Sequence, residues 1–180
     1  MLLVVDNGSI YTKNLIDFLN TKKISFQVQT PHLLKLNSLG NYDSFILSGR
    51  RKNEKKINEI NSKIITFSIQ KNLKLLGICY GAEILALTLG GTIKKSTSLQ
   101  KGNEKISIFK NDLIPNEKIS VFESHSFEIS KIPSVLVTLG KSKNCKYEII
   151  QYAKKSIFGT QFHPEMSIDG HNMIEKFCLL

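Results

Sequence analysis

"LLGICYGAE", residues 75–83, sets a cysteine between two glycines directly after an apolar run. Leu75, Leu76, Gly77 and Ile78 read as the end of a buried strand, and residues 82–86 as a helix. Gly77-Ile78-Cys79-Tyr80-Gly81 is therefore G-x-C-x-G at a strand-to-helix corner. This is the cysteine counterpart of the nucleophile elbow, a tight turn that lifts a side chain clear of the sheet edge. The flanking glycines let the backbone bend and let neighbouring elements approach closely. A helix N-terminus just past the cysteine favours its thiolate. The same turn leaves the Tyr80 backbone N–H facing any oxyanion that develops there. A buried cysteine in a plain tight turn shows the same five residues, so the rest of the chain has to decide.

Working outward, short β-type runs alternate with helical patterns through the first half. Residues 2–6 are strand-like, 11–20 helical, 25–30 strand-like, and 45–47 form a short buried strand ending at Ser48-Gly49. Ile57, Ile60, Ile64 and Ile65 recur at helical spacing, although 64–69 fits a strand as well. The strand ending at Cys79 is followed by a helix over about 81–89, stopped by Gly90-Gly91. The second half is richer in strands, at 105–109, 119–122, 135–139, 147–152 and 157–162, with a closing helix over 169–179. The alternation predicts an α/β fold: an open, mostly parallel sheet with flanking helices and extra antiparallel strands in the second half. No repeat, low-complexity tract or linker divides residues 1–180, so one domain is expected.

Composition narrows the function classes. Of the residues, 41% are hydrophobic and 22% charged, as in ordinary globular proteins. No apolar run approaches a membrane span, and residues 1–6 lack the basic leader of a signal peptide. The three cysteines, Cys79, Cys145 and Cys178, form neither a disulfide framework nor a C-x-x-C metal pair. A reducing, cytoplasmic setting is expected, with Cys145 and Cys178 structural or incidental. The formal net charge of +10 comes mostly from scattered lysines such as Lys22-Lys23, Lys55-Lys56 and Lys94-Lys95. With no zinc finger or aromatic-rich RNA-binding signature, this reads as a solvated surface rather than a nucleic-acid site. It leaves an acidic protein partner open.

A second segment changes the odds for Cys79. "FGTQFHPE", residues 158–165, places His163 and Glu165 just past a strand-like run, with Pro164 restricting the backbone between them. A cysteine nucleophile needs a base, and the base needs an orienting carboxylate. Cys79, His163 and Glu165 supply all three if the fold joins them. Alone, His-Pro-Glu is an exposed turn in most settings.

Together "LLGICYGAE" and "GTQFHPE", about 80 residues apart, resemble the class I glutamine amidotransferases, whose glutaminase domains use a Cys-His-Glu triad. "FILSG" at 45–49 is similar to the strand and oxyanion loop of that family, and "LGG" at 89–91 to the turn after its nucleophile helix. "SH" at 124–125 is similar to its substrate-side loop. "DNGSIYTKNLI", residues 6–16, resembles the N-terminal stretch of the GMP synthase branch, as do Tyr80 and "FESHSFEISKIP".

The resemblance implies a flavodoxin-like fold and a catalytic triad of Cys79, His163 and Glu165. It implies oxyanion donors from the backbone of Tyr80, Gly49 and Arg50, and glutamine contacts at Glu83, Ser124, His125, Ser126 and Phe127. It also implies no metal or cofactor in this chain. ATP and Mg belong to a separate ATP-pyrophosphatase-type GMP synthetase subunit, to which ammonia passes within a heterodimer or larger assembly. Three departures stand out. Arg50-Arg51 replaces the usual Gly-Pro, so a left-handed backbone at Arg50 would be strained and the loop is expected to be flexible. Glu83 replaces a glutamine, which removes an amide donor. Ser126 and Phe127 replace a glycine-acid pair. The alternatives are a glutaminase serving anthranilate or aminodeoxychorismate synthase, a γ-glutamyl hydrolase, and a non-catalytic relative. His32 and His171 have no partner in the sequence reading and are expected at the surface.

Overall fold

A computed structural model describes residues 1–109, 113–114, 117–153 and 155–180. Its strands are β1 (Leu2–Val5), β2 (Phe26–Gln29), β3 (Ser44–Leu47), β4 (Lys74–Ile78), β5 (Thr92–Ile108), β6 (Lys118–Lys131), β7 (Leu136–Lys141), β8 (Ile149–Tyr152) and β9 (Ile157–Thr160). The helices are α1 (Thr12–Thr21), α2 (Lys55–Lys71), α3 (Tyr80–Thr88) and α4 (Ile168–Leu179). Among the described residues these strands join one sheet in the order β2-β1-β3-β4-β9-β8-β7-β5-β6. The β2-β1-β3-β4-β9 half is parallel, and the other half is antiparallel. This is the mixed sheet expected from the sequence.

Strands β1, β3, β4 and β9 are covered on both faces, which is why they are mostly apolar runs, whereas the edge strand β2 alternates and stays partly exposed. Successive residues point to opposite faces. Leu3, Val5, Phe45, Leu47 and Leu75 pack with the isoleucines of α2 and with Leu85 of α3. Leu2, Val4, Ile46 and Leu76 pack with Leu15 and Phe18 of α1 and with Ile174 and Phe177 of α4. Residues 64–69 belong to α2, because Ile57, Ile60, Ile64 and Ile65 form one buried stripe that only a helix can present. Asn72 ends the helix in the left-handed conformation that asparagine tolerates (φ 55°).

The strands read at 105–109 and 119–122 are the ends of a much longer ribbon. β5 and β6 run 17 and 14 residues, with register shifts between Thr92 and Ile93 and between Lys95 and Gln100. Residues 92–104 of β5 bury no side chain, so the period-2 apolar signal that marks a strand is missing.

At the centre of the sheet, α3 sits down on β3, β4 and β9 at backbone contact distance. A Cβ on Gly77 would lie 2.4 Å from the Gly81 backbone, and one on Gly81 would lie 2.4 Å from the Leu47 carbonyl oxygen. These are the two glycines that bracket the cysteine. They set the height of the helix over the sheet.

Candidate active site

Cys79 joins β4 to α3 at φ 50° and ψ −103°, a conformation L-residues avoid. Its N–H bonds the Thr160 carbonyl of β9 at 2.7 Å, which holds the corner in place. Strain of this kind persists only where surrounding structure over-determines it. Burial pushes the Cys79 thiol well above its ordinary range, and the carboxylates of Glu83 and Glu165 push the same way. The Tyr80 backbone N–H beside the sulfur pulls it down. These surroundings favour the neutral thiol at rest, against the pull of the helix terminus, because dehydration penalises the charged form.

His163 lies three residues beyond the end of β9, the strand that pairs directly with β4 through Ile78↔Thr160. Both residues thus leave the carboxyl edge of adjacent parallel strands, where open α/β sheets place their sites. His163 and Glu165 are 3% and 2% exposed. His163 Nδ1 lies 2.8 Å from Glu165 Oε1. Pro164 starts the 3-10 turn Pro164–Met166 that presents the carboxylate back to its own histidine. The His163 backbone N–H bonds the Phe122 carbonyl at 2.9 Å, anchoring the turn on β6. The Tyr11 ring packs on the imidazole at 4.6 Å between centroids.

The 48–50 loop closes the same corner. A Cβ on Gly49 would lie 3.1 Å from His163 Cε1, so this loop borders the imidazole. Asn7 ties the loop down: its N–H donates to Ser48 Oγ and its Nδ2 to the Ser48 carbonyl, both at 2.9 Å. Arg50 is neither strained nor loose. It has no left-handed φ, and its backbone bridges Gly8. Its guanidinium donates to Asn53 Oδ1 and Asn58 Oδ1 at 2.7 Å each and stacks 4.0 Å from the Tyr80 ring centre. The arginine that replaces glycine is thus held by the residue following the nucleophile. Arg51, by contrast, is exposed.

Glu83 stands one turn along α3 from Cys79, is 5% exposed, and accepts a bond from Gln161 Nε2 at 3.2 Å. Burial raises its carboxyl, against the lowering effect of Gln161, Arg50, His125 and His163. Ser124 receives the Tyr11 hydroxyl at 3.1 Å, and His125 is buried. Ser126 and Phe127 differ from expectation: their side chains are both exposed, at the register shift between Lys95 and Gln100 where strict alternation along β6 is interrupted, and only the Phe127 carbonyl enters the network. His171 also departs from its surface reading, stacking on Phe18 at 4.3 Å with Nε2 3.0 Å from the Glu165 carbonyl oxygen. His32 is half exposed and pairs with Glu54 at 3.3 Å.

Sequence reasoning passed over Tyr11, Gln161 and Asn58. Tyr11 closes the "DNGSIYT" turn, where Asp6 accepts from the Gly8 N–H and the Thr12 hydroxyl, both at 2.9 Å, and Gly8 takes φ 87°. Its signal was that stretch, read only as a branch marker. Among the described residues, no helix is long and apolar enough to cross a membrane, and no group of three or more His, Cys, Asp or Glu side chains is arranged to hold a metal ion.

Comparison with known proteins agrees with this geometry. The chain is 29% identical to a subunit of the glutamine-hydrolyzing GMP synthase of Methanocaldococcus jannaschii, over 99% of its own length and 96% of that protein's. It is 30% identical, with the same coverage, to the equivalently named subunit of Methanococcus aeolicus. The solved structure of a provisionally named GMP synthase subunit from Thermoplasma acidophilum superposes with a TM-score of 0.87 at 25% identity, covering 98% of this chain and 91% of that one. A glutamine amidotransferase from Thermotoga maritima shares the fold, with a TM-score of 0.79 at 20% identity and coverage of 97% and 80%. Residues 3–179 match the family described as glutamine amidotransferase class-I, and the chain belongs to that family.

Proposed function

We propose that this chain hydrolyses glutamine to glutamate and ammonia through Cys79, His163 and Glu165, and delivers the ammonia to a separate ATP-dependent synthetase that converts XMP to GMP. The observation that carries the reading is the buried His163–Glu165 pair at 2.8 Å, one strand away from the strained cysteine corner. The acceptor reaction rests on the relatives named as GMP synthase subunits, nearly all of whose length this chain spans.

In this mechanism Nδ1 is engaged by Glu165, which leaves Nε2 to face the thiol. As Sγ attacks the side-chain amide carbon of glutamine, Nε2 takes the thiol proton, because the buried group is neutral at rest. The carbonyl oxygen becomes an oxyanion held by the Tyr80 N–H and the Gly49–Arg50 backbone. Each such donor is worth about 3 kcal/mol when preorganised. The imidazolium returns its proton to the departing nitrogen, releasing ammonia and leaving a γ-glutamyl thioester. His163 then activates water to hydrolyse it. ATP and Mg act on the partner synthetase.

Ammonia release measured with and without the synthetase, its nucleotide and ATP tests the reading. Glutamine turnover that never couples to XMP amination would remove the acceptor assignment and keep the glutaminase. Glu165→Ala should lose roughly a hundredfold in kcat, the low end of what a positioned base contributes, and less than His163→Ala. An equal loss in both would overturn the orienting role of Glu165. The neutral thiol makes a separate prediction. A generic alkylating agent should modify Cys79 slowly at neutral pH, and faster as rising pH increases the thiolate fraction. Fast, pH-independent alkylation would mean that the thiolate preexists.

A further inference from the structure

Behind the 123–129 wall of the site runs a chain of buried polar groups that the reaction above does not use. Glu123, His125 and Glu148 are 4%, 5% and 1% exposed. His125 Nδ1 lies 2.8 Å from the Phe127 carbonyl oxygen, and Nε2 lies 2.8 Å from Glu123 Oε2, an ion-pair contact without hydrogen-bond alignment. The Phe127 carbonyl also accepts from Gln161 Nε2 at 3.2 Å, and the same amide nitrogen donates to Glu83 Oε1. Gln161 Oε1 accepts the Ile129 N–H at 3.1 Å, and the Gln161 N–H bonds the Glu148 carbonyl at 2.8 Å. The path runs from Glu148 to Glu123, His125, the Phe127 carbonyl, Gln161 and finally Glu83, one turn from the nucleophile.

Protonation decides whether this path is satisfied. With both acids ionised, neither Glu123 oxygen nor Glu148 Oε2 has a hydrogen-bond donor. The two side chains lie within hydrogen-bonding reach of each other. Adjacent buried carboxylates cannot both ionise, but one proton between them turns repulsion into a charge-assisted bond. Burial, and then the Glu123 charge, push the Glu148 carboxyl well above the usual carboxylate range, which favours one proton held between the two side chains. Glu123 also faces His125. An imidazole between a carbonyl and a carboxylate satisfies both only as an imidazolium, with both nitrogens donating. Burial opposes that form, yet Glu123 and the Phe127 carbonyl outweigh it and raise His125. The other groups acting on this path are Glu83 on α3, Glu104 on β5 and the Ser142 hydroxyl, which bonds Glu148, and the further titratable group is Cys145, whose thiol Glu148 pushes up.

We propose that Glu123 and Glu148 are positioning residues for glutamine binding: they share one proton, hold His125 as an imidazolium, and so lock the Phe127 carbonyl and the Gln161 amide that orient Glu83. The amide's polarity is the critical point. If the carbonyl shifted, Gln161 could turn its oxygen toward the Glu83 carboxylate and repel it from the site. The kinetic side of this proposal rests on the glutaminase reading, whereas the protonation side does not.

The test uses the full chain and three variants. Nitrogen-15 spectra of the His125 ring should show both nitrogens protonated at neutral pH in the wild type, and proton loss in Glu123→Gln. Glu123→Gln and Glu148→Leu should raise KM for glutamine about tenfold while kcat changes little, the scale of one unsatisfied buried partner. Glu148→Gln, whose amide can still donate to Glu123, should recover most of that loss. A neutral His125 in the wild type overturns the proposal, as does equal loss in Glu148→Gln and Glu148→Leu, or a fall confined to kcat. If the wild type hydrolyses no glutamine, the failure belongs to the glutaminase reading, and the His125 spectrum alone decides this one.

Discussion

A chain carrying Cys79→Ala should release no measurable ammonia from glutamine, a loss on the order of a millionfold in kcat, while keeping its fold. The methyl group fits wherever the thiol did, but no atom remains to form the thioester. An electrophilic glutamine analogue should label Cys79 in the wild type and label nothing in the variant. The reagent is directed by its glutamine portion, and Cys145, 2% exposed, and Cys178, near the end of α4, stand outside the candidate site, so neither should compete for it. Labelling at either one would sink the assignment. The corner adds a stability comparison. Alanine keeps the positive φ and its strain, whereas glycine adopts it freely, so Cys79→Gly should melt higher than Cys79→Ala by the equivalent of about 1 kcal/mol. Equal melting points would mean that the turn stores no strain.

The second large effect falls on folding. Gly77→Ala should destabilise the chain by about 3 kcal/mol or more, enough to leave much of it unfolded at body temperature. The added Cβ would meet Gly81 C and O at 2.4 Å and Ala82 N at 2.8 Å, all backbone atoms that no rotamer change can move aside. α3 would have to rise off the sheet, and its buried face, including Ile84 and Leu85, would lose contact with α2 and β3. Chemical denaturation followed by circular dichroism gives the number. A loss under 1 kcal/mol would show that the helix can ride higher than its contacts suggest.

What could be read in the sequence follows a physical divide. The parallel half was legible because strands covered on both faces must be apolar throughout, and residues 2–5, 44–47 and 74–78 are buried at all but one position. The β5–β6 ribbon was not, since most β5 side chains meet water, and β6 alternates in burial but buries polar residues such as Glu123 and His125, which carry no apolar signal. Cys79, His163 and Glu165 were legible as candidates because Cys79 sits inside one short corner and His163 and Glu165 inside another. Arg50, Tyr11 and Gln161 were harder. Their partners are Tyr80, Ser124 and Glu83, reached across strand pairings that local spacing does not reveal. The burial that opposes the thiolate was hidden for a related reason: a helix terminus is visible in sequence, but depth of burial is not.

The sheet order has a consequence for the life of the chain during synthesis. β9, near the carboxyl end, inserts in the middle of the sheet between β4 and β8. The centre is therefore open until nearly the last strand has been made, and closing it spans a long loop whose entropy is repaid only when the strand docks. His163 and Glu165 arrive with that same strand, and the Thr160 carbonyl that pins the cysteine corner arrives just before them. A nascent or interrupted chain thus carries the thiol without its base, and without the bond that holds it aloft. On the proposed glutaminase reading, the thiol is made early and its base late, so an unfinished chain has no route to releasing ammonia.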